Sequence, residues 1–162
     1  MNEKDIITLI KTQFASAKLE WVEAPSGDNY LVVPSEALRD VVKYIKETEA
    51  LYFDYLVNLS AFDATEHIEV TYHFYSYTHR HKLVLKVKAV RLNGEVPTIT
   101  DLYGTANFQE REVFDLLGVR FASHPNLARI LLPPDFKGHP LLKDYQEEAQ
   151  YNGIETTRAS LL

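Results

Sequence analysis

The chain of 162 residues reads as an α+β protein: a two-layer domain of largely antiparallel or mixed sheet covered by helices, then an extended Pro-rich C-terminal tail. Three observations predict this. Three central stretches alternate apolar and polar side chains with period two, the mark of antiparallel strands with one wet face. Two N-terminal stretches instead repeat apolar residues at helical spacing. Four of the seven prolines (Pro125, Pro133, Pro134 and Pro140) crowd into sixteen residues near the C-terminus, which bars a regular helix or an inner strand there. At about 150 residues per domain, the length predicts one unit, with residues 1–120 as scaffold and 121–162 as tail.

In chain order, Ile6, Ile7, Leu9, Ile10 and Phe14 form the apolar face of a first helix within residues 3–17. Trp21 to Val33 reads as two short strands around the turn-rich Ser26-Gly27-Asp28-Asn29. Pro34-Ser35 supplies an N-cap for a second helix, with Leu38, Val41, Val42 and Ile45 as its buried stripe. Leu51, Phe53, Tyr55, Val57 and Leu59 face one way, with Asp54 and Asn58 opposite. Ile68, Val70, Tyr72 and Phe74 repeat the pattern, as do Leu83, Leu85, Val87 and Ala89 opposite Lys82, Lys86 and Lys88. Two helices laid over the apolar side complete two layers. Asn107 followed by Glu110 marks a third helix start, and Gly118 its stop. In the tail, Leu127, Ile130, Leu131, Leu132, Phe136, Leu141 and Leu142 interrupt the prolines; a disordered linker is poorer in such residues, so the segment must lie on something.

Composition closes several routes. A net charge of −6 argues against a protein that works by neutralising phosphates, so no nucleic-acid partner is expected. The absence of cysteine removes disulfides, thiolate catalysis and Cys-ligated zinc or iron–sulfur clusters. The longest run free of charged residues, Val70 to His79, falls far short of the about 20 apolar residues a spanning helix needs. The acidic start Met1-Asn2-Glu3-Lys4-Asp5 does not read as a signal or transit peptide. Six dispersed glycines form no phosphate loop, and no Gly-x-Ser-x-Gly elbow is present.

Histidines and carboxylates remain. His79-Arg80-His81 beside Lys82 reads as a solvated turn, because adjacent cations oppose a divalent ion. His124 and His139, each before a proline, read as structural histidines in X-Pro units, with a ligand pair as the alternative. Glu110, Arg111, Glu112 and Asp115 read as a salt-bridged helix surface, with acid–base chemistry as the alternative. Arg80, Lys82, Lys86, Lys88 and Arg91 form a basic stripe, either a solvated sheet face or a dock for an acidic partner or anionic headgroups. Two rival functions follow: a metal enzyme built on the histidines and carboxylates, and an adaptor whose stripe binds membranes.

The residues from 107 to 145 are more specific. Asn107-Phe-Gln-Glu-Arg-Glu-Val-Phe-Asp-Leu-Leu-Gly-Val-Arg-Phe121, His124-Pro-Asn-Leu-Ala-Arg-Ile-Leu-Leu132 and Gly138-His-Pro-Leu-Leu-Lys-Asp-Tyr145 keep an entire motif in register. The stretch resembles the signature of the 30 kDa-type (C-type) subunit of proton-pumping NADH:quinone oxidoreductase, respiratory complex I. Tyr72-His-Phe-Tyr-Ser76 and Pro97-Thr-Ile-Thr-Asp101 resemble it more loosely. Phe108 and Phe136 stand where the family usually has Trp, Leu117 where it has Phe, and Ala128 and Leu142 where it has Arg.

The resemblance implies a non-catalytic assembly subunit of the peripheral arm, without activity when isolated. It implies no cofactor in this chain, with FMN and iron–sulfur clusters in other subunits. It implies packing against the quinone-pocket subunit (D type) and its cluster-bearing neighbour (B type), and a place on the cytoplasmic side of the bacterial inner membrane, reached only through the complex. An equivalent subunit of a membrane-bound hydrogenase, or of a quinone reductase with another donor, is the alternative. The docking residues it implies are Glu110, Arg111, Glu112, Asp115, Gly118, His124, Pro125, Arg129, Gly138, His139, Pro140, Lys143 and Asp144. The four on the third helix would fix it against the tail or the partner. His124, Arg129, His139, Lys143 and Asp144 would register the tail along the adjoining subunit, so Arg129→Ala is expected to weaken assembly far more than folding.

Overall fold

Helix α1 (Glu3–Gln13) opens the computed structural model, which describes residues 1–156. The Asn2 side chain caps it by accepting the Asp5 N–H at 2.9 Å, and Ile6, Ile7 and Ile10 are its buried face. Leu9 points to solvent, one position off the stripe. Strands β1 (Glu20–Val22) and β2 (Tyr30–Val32) pair antiparallel across the turn at residues 26–29. Helix α2 (Ser35–Glu47) starts where expected, but Pro34 occupies the cap position and the Ser35 hydroxyl donates to the Glu95 carbonyl at 3.0 Å. That bond ties the helix start to a later strand instead of closing the helix on itself.

Strands β3 (Tyr55–Asp63), β4 (His67–Ser76) and β5 (His81–Val90) form a meander. The sheet order is β1-β2-β5-β4-β3, antiparallel except for the β2–β5 pair, so the sheet is mixed. Ile68, Val70, Tyr72, Phe74, Leu83, Leu85, Val87 and Ala89 are all buried, as the alternation predicts. In β3 the expected facing is wrong: a bulge between Leu56 and Asn58 shifts the register, so Leu56 and Leu59 point inward while Tyr55 and Val57 are exposed. Leu51 and Phe53 are buried, but they precede the strand.

Strand β6 (Glu95–Pro97) leads to helix α3 (Ala106–Leu117) and then strand β7 (Arg120–Ala122), which pairs parallel with β6. The boundary drawn at residue 120 therefore falls at a strand that belongs to the domain. Asn107 lies inside α3, and no side chain caps its start. Gly118 ends it in the left-handed conformation at φ 78°. Beyond β7 the chain runs extended over α3, with Leu127 and Leu142 packed on the core. The tail is not extended throughout: β8 (Gln150–Tyr151) and β9 (Ile154–Glu155) close a hairpin. The end of the predicted tail, 157–162, lies outside the described residues. One continuous core joins the three helices to the inner face of the sheet.

Candidate functional site: the seat of the strap

The motif residues converge on the contact between α3 and the segment from 123 to 145, here called the strap. Asp115 is its centre. Its side chain is fully buried, and Oδ2 accepts the N–H groups of Ile130, Leu131 and Leu132 at 3.0, 2.8 and 3.0 Å. Arg129 donates to Oδ1 at 2.7 Å and to the Asp115 carbonyl at 3.1 Å, and reaches the Gly138 carbonyl at 2.9 Å. Burial opposes ionisation, yet the Leu132 and Leu131 N–H groups, Arg129 and the Ile130 N–H outweigh it and hold this carboxyl below the usual aspartate range. Prolines forbid a ladder along this stretch, so one carboxylate supplies acceptors that a neighbouring strand would otherwise provide.

Arg111, one turn before Asp115, does not pair with it. Its guanidinium donates to the Ala128 carbonyl at 2.9 Å and the Arg129 carbonyl at 3.4 Å, and lies over the Phe108 ring. His139 bonds the Asp115 carbonyl through Nδ1 at 2.9 Å and packs its ring against Gly118, where an added Cβ would meet Cδ2 at 2.7 Å. Gly138 is also left-handed, at φ 81°, and faces the Tyr145 ring. His124 bridges Asn107 and Asn126, holding the first turn of the strap to the start of α3. Pro125 is exposed and Pro140 half-buried. The two histidines thus serve as structural clips at separate places.

At the far end Asp144 pairs with the Arg91 guanidinium, which also holds Asp63 at 2.8–3.1 Å. The Lys143 N–H donates to Asp63 at 2.9 Å and its Nζ reaches Thr65. Arg91, with the Lys143 and Thr65 N–H groups, keeps the Asp63 carboxyl far below its ordinary range, and Asp144 and Asp63 in turn raise Arg91. Neither Asp63 nor the role of Arg91 is among the residues the sequence reading singles out for the site. One signal existed: continuing the period from Leu59 through Ala61 puts Asp63 on the buried face, where a carboxylate needs a cation.

The surface reading of the α3 cluster is therefore corrected for two members: Glu110 and Asp115 are buried to 0% exposure, because the strap and the β6–α3 loop cover them. Glu110 accepts the Ile99 N–H at 2.9 Å and lies 2.5 Å from the Thr98 hydroxyl. Burial pushes it up to about 7, against the pull of those two donors and with a further push from Asp101. Glu112 is exposed and faces a groove with Asn58, Ser60 and Leu141. Beside Thr98 opens a cleft of about 620 Å³, lined by Thr100, Asp101, Asn107, Ser123 and Arg39 among others.

Two further readings change. His81 is buried with Nε2 on the Leu51 carbonyl at 2.7 Å, whereas His79 lies exposed in the turn as expected and bonds the Glu49 carbonyl at 2.8 Å, so the solvated-turn reading fails only for His81. The basic stripe is largely neutralised: Lys82 pairs with Asp28, Lys86 with Glu69 at 2.6 Å, and Arg91 with Asp63 and Asp144. Among the described residues no three His, Asp or Glu side chains converge as a metal site, and no helix is long and apolar enough to cross a membrane.

Fold and seat together define a class: a mixed-sheet α+β domain that carries a proline-rich strap on buried carboxylates. Residues 31–151 match the family described as "Respiratory-chain NADH dehydrogenase, 30 Kd subunit". A C-type subunit of NADH-quinone oxidoreductase from Moorella thermoacetica is 42% identical over 133 residues, 81% of this chain and 86% of that one. Its counterpart from Roseiflexus castenholzii is 40% identical over 121 residues, 73% and 70% of the two chains. Among solved structures, the Nqo5 trypsin-resistant fragment superposes with a TM-score of 0.64 at 25% identity, over 78% of this chain and all of that one. A chain of the archaeal membrane-bound sulfane sulfur reductase gives 0.72 at 25% identity, over 90% and 86%. The chain belongs to the 30 kDa subunit family of respiratory-chain NADH dehydrogenase, the C-type subunits of NADH-quinone oxidoreductase.

Proposed function

We propose that this chain is a non-catalytic assembly subunit in the peripheral arm of a proton-translocating NADH:quinone oxidoreductase. It presents its strap to the quinone-pocket subunit and to that subunit's cluster-bearing neighbour, on the cytoplasmic side of the membrane. FMN and the iron–sulfur clusters belong to other subunits in this reading, and the isolated chain has no oxidoreductase activity. The observation that carries it is the direction of the strap's bonds. Its polar ties run inward to α3 and the sheet, which leaves Leu131 at 59%, Leu141 at 55% and, on α3, Phe108 at 66% exposure, facing away from the chain's own core. Apolar side chains held outward on a preformed backbone suit a protein interface, since little ordering entropy remains to be lost on docking.

The docking role of the motif residues is thereby refined: Arg111, Asp115, Arg129, His139, Lys143 and Asp144 shape the strap, and neighbouring apolar side chains make the contact. The test is recovery of the tagged chain from gently solubilised native membranes. Cluster-bearing and quinone-pocket subunits in equal amounts are expected, and a Leu131→Asp, Leu141→Asp double variant should lose most of them while melting within about 1 kcal/mol of the parent, as surface substitutions do. Parent protein recovered alone counts against the reading. The likeness to the sulfane sulfur reductase chain favours a second reading, an equivalent subunit in a complex with another electron donor. Partners recovered without NADH-binding subunits would select it.

A further inference from the structure

Among the buried carboxylates of the described chain, Asp63 meets Arg91 and Asp115 meets Arg129, whereas Glu110 meets no Lys or Arg. Its closest basic group is His124, whose fully buried ring places Nε2 at 3.9 Å from Oε2. That ring is neutral in this arrangement: the Asn126 N–H donates to Nδ1 at 3.0 Å, so the proton sits on Nε2 and points to the Asn107 carbonyl at 3.2 Å. An ionised Glu110 would thus be a buried charge satisfied only by neutral donors.

The Thr98 hydroxyl explains how a proton can reach it. Thr98 Oγ1 lies 2.5 Å from Glu110 Oε2 and 3.0 Å from Thr100 Oγ1, and it accepts the Thr100 N–H at 3.2 Å. It has one hydrogen and two acceptors to choose between. With Glu110 ionised, that hydrogen must point at the carboxylate. With Glu110 protonated, the acid O–H donates to Thr98 Oγ1 and Thr98 turns its hydrogen to Thr100 Oγ1. Thr98 and Thr100 both line the 620 Å³ cleft, so a row of hydroxyls runs from the buried acid to solvent. The other groups facing this cluster are Tyr72 from β4, whose buried hydroxyl has no partner among the described residues, and Asp101 from the β6–α3 loop. Arg39 from α2 pairs with that Asp101 and reaches the Thr98 carbonyl at 3.3 Å. Arg111, next to Glu110 on α3, is turned to the strap carbonyls.

We propose that Glu110, Thr98 and Thr100 form a proton-exchange site opening onto the cleft, and that the proton's presence sets how His124 holds the start of the strap. The proton comes from cleft water and returns to it. When it leaves, the carboxylate is a stronger acceptor than the Asn107 carbonyl and draws the His124 Nε2–H toward Oε2, loosening the clip between α3 and the turn at Pro125 and Asn126. Burial places this exchange near neutral pH, since it raises Glu110 to about 7. The inference stands on the chain's own geometry and does not depend on the docking role.

The experiment is an NMR titration of the full chain labelled with ¹³C at the glutamate carboxyl and uniformly with ¹⁵N. The Glu110 carbon is assigned by its loss in Glu110→Gln. The expected result is a midpoint near 7 for that carbon, followed with the same midpoint by the His124 ring nitrogens and the Asn126 amide, and absent from both reporters in Glu110→Gln. A carboxyl titrating at its ordinary value near 4.5 overturns the site. A midpoint near 7 with His124 and Asn126 unmoved overturns the coupling. If Glu110→Gln does not fold, Glu110→Asp supplies the assignment and the parent titration decides.

Discussion

Asp115 shows how one side chain can replace a missing strand. Three successive N–H groups of a proline-rich segment would be unsatisfied on burial, at about 1–3 kcal/mol each, without its carboxylate. Arg129 then prevents that carboxylate from being an uncompensated buried charge. Arg129→Ala should therefore cost the fold as well as assembly: the change should destabilise the chain by about 3 kcal/mol, the cost typical of breaking a buried pair. Asp115→Asn should lose a similar amount, because its amide NH₂ cannot accept the N–H groups the carboxylate now holds. A double-mutant cycle followed by chemical denaturation checks both, and the double variant should lose much less than the sum. The Arg111–Asp115 spacing was legible in the sequence. Their actual partners, on a segment fourteen or more residues away, were not, since helical spacing reports only neighbours on the same helix.

At the scale of the element, α3 and the strap are held at the helix stop. Gly118 is needed twice, for its φ of 78° and because the His139 ring fills the space of a Cβ. Gly118→Ala should cost about 1 kcal/mol for a left-handed non-glycine residue and displace His139 as well. Hydrogen exchange should then show faster labelling of Leu141 and Leu142, whose amides bond the Leu116 and His139 carbonyls, with the β4–β5 amides unchanged. Equal acceleration everywhere would mean a global loss of stability and not a loosened strap. The helix stop was readable from Gly and periodicity alone. The β3 register was not: a bulge adds one residue without changing composition, and the pattern Tyr55, Val57, Leu59 continued through it.

For the whole molecule, the arginine-paired aspartates and the buried Glu110 set opposite limits on stability. Asp63, Asp115 and Asp144 have folded values below the ordinary 3.8, so their contribution is present above that pH and is lost as pH falls through the folded values. Glu110 is raised from 4.5 to about 7, so its contribution is full below 4.5 and is lost as pH rises through 7. The melting temperature should peak at about pH 4 to 5, falling on both sides. Glu110→Gln should flatten the alkaline limb and leave the acid limb in place. Scanning calorimetry between about pH 3 and 9 measures both limbs, and an unaltered alkaline limb in the variant would remove Glu110 as its cause.

Local chemistry determined much of this protein from sequence. Period-two and period-3.6 patterns placed the three helices and the β4–β5 core, because burial of one face needs only neighbours within an element. The dense motif from Asn107 to Tyr145 indicated the family, and the prolines between 125 and 140 barred a regular helix or inner strand there. What only the tertiary structure decided is which charges are buried and what neutralises them. Glu110 and Asp115 lie in a pattern indistinguishable from a solvated helix face, and Arg91 among lysines that look like a basic surface. Their environments depend on a strap that returns over α3 and the sheet end from up to 80 residues away, as in the Lys143–Asp63 bond. Burial and ion pairing are properties of such long-range contacts, which no local spacing encodes.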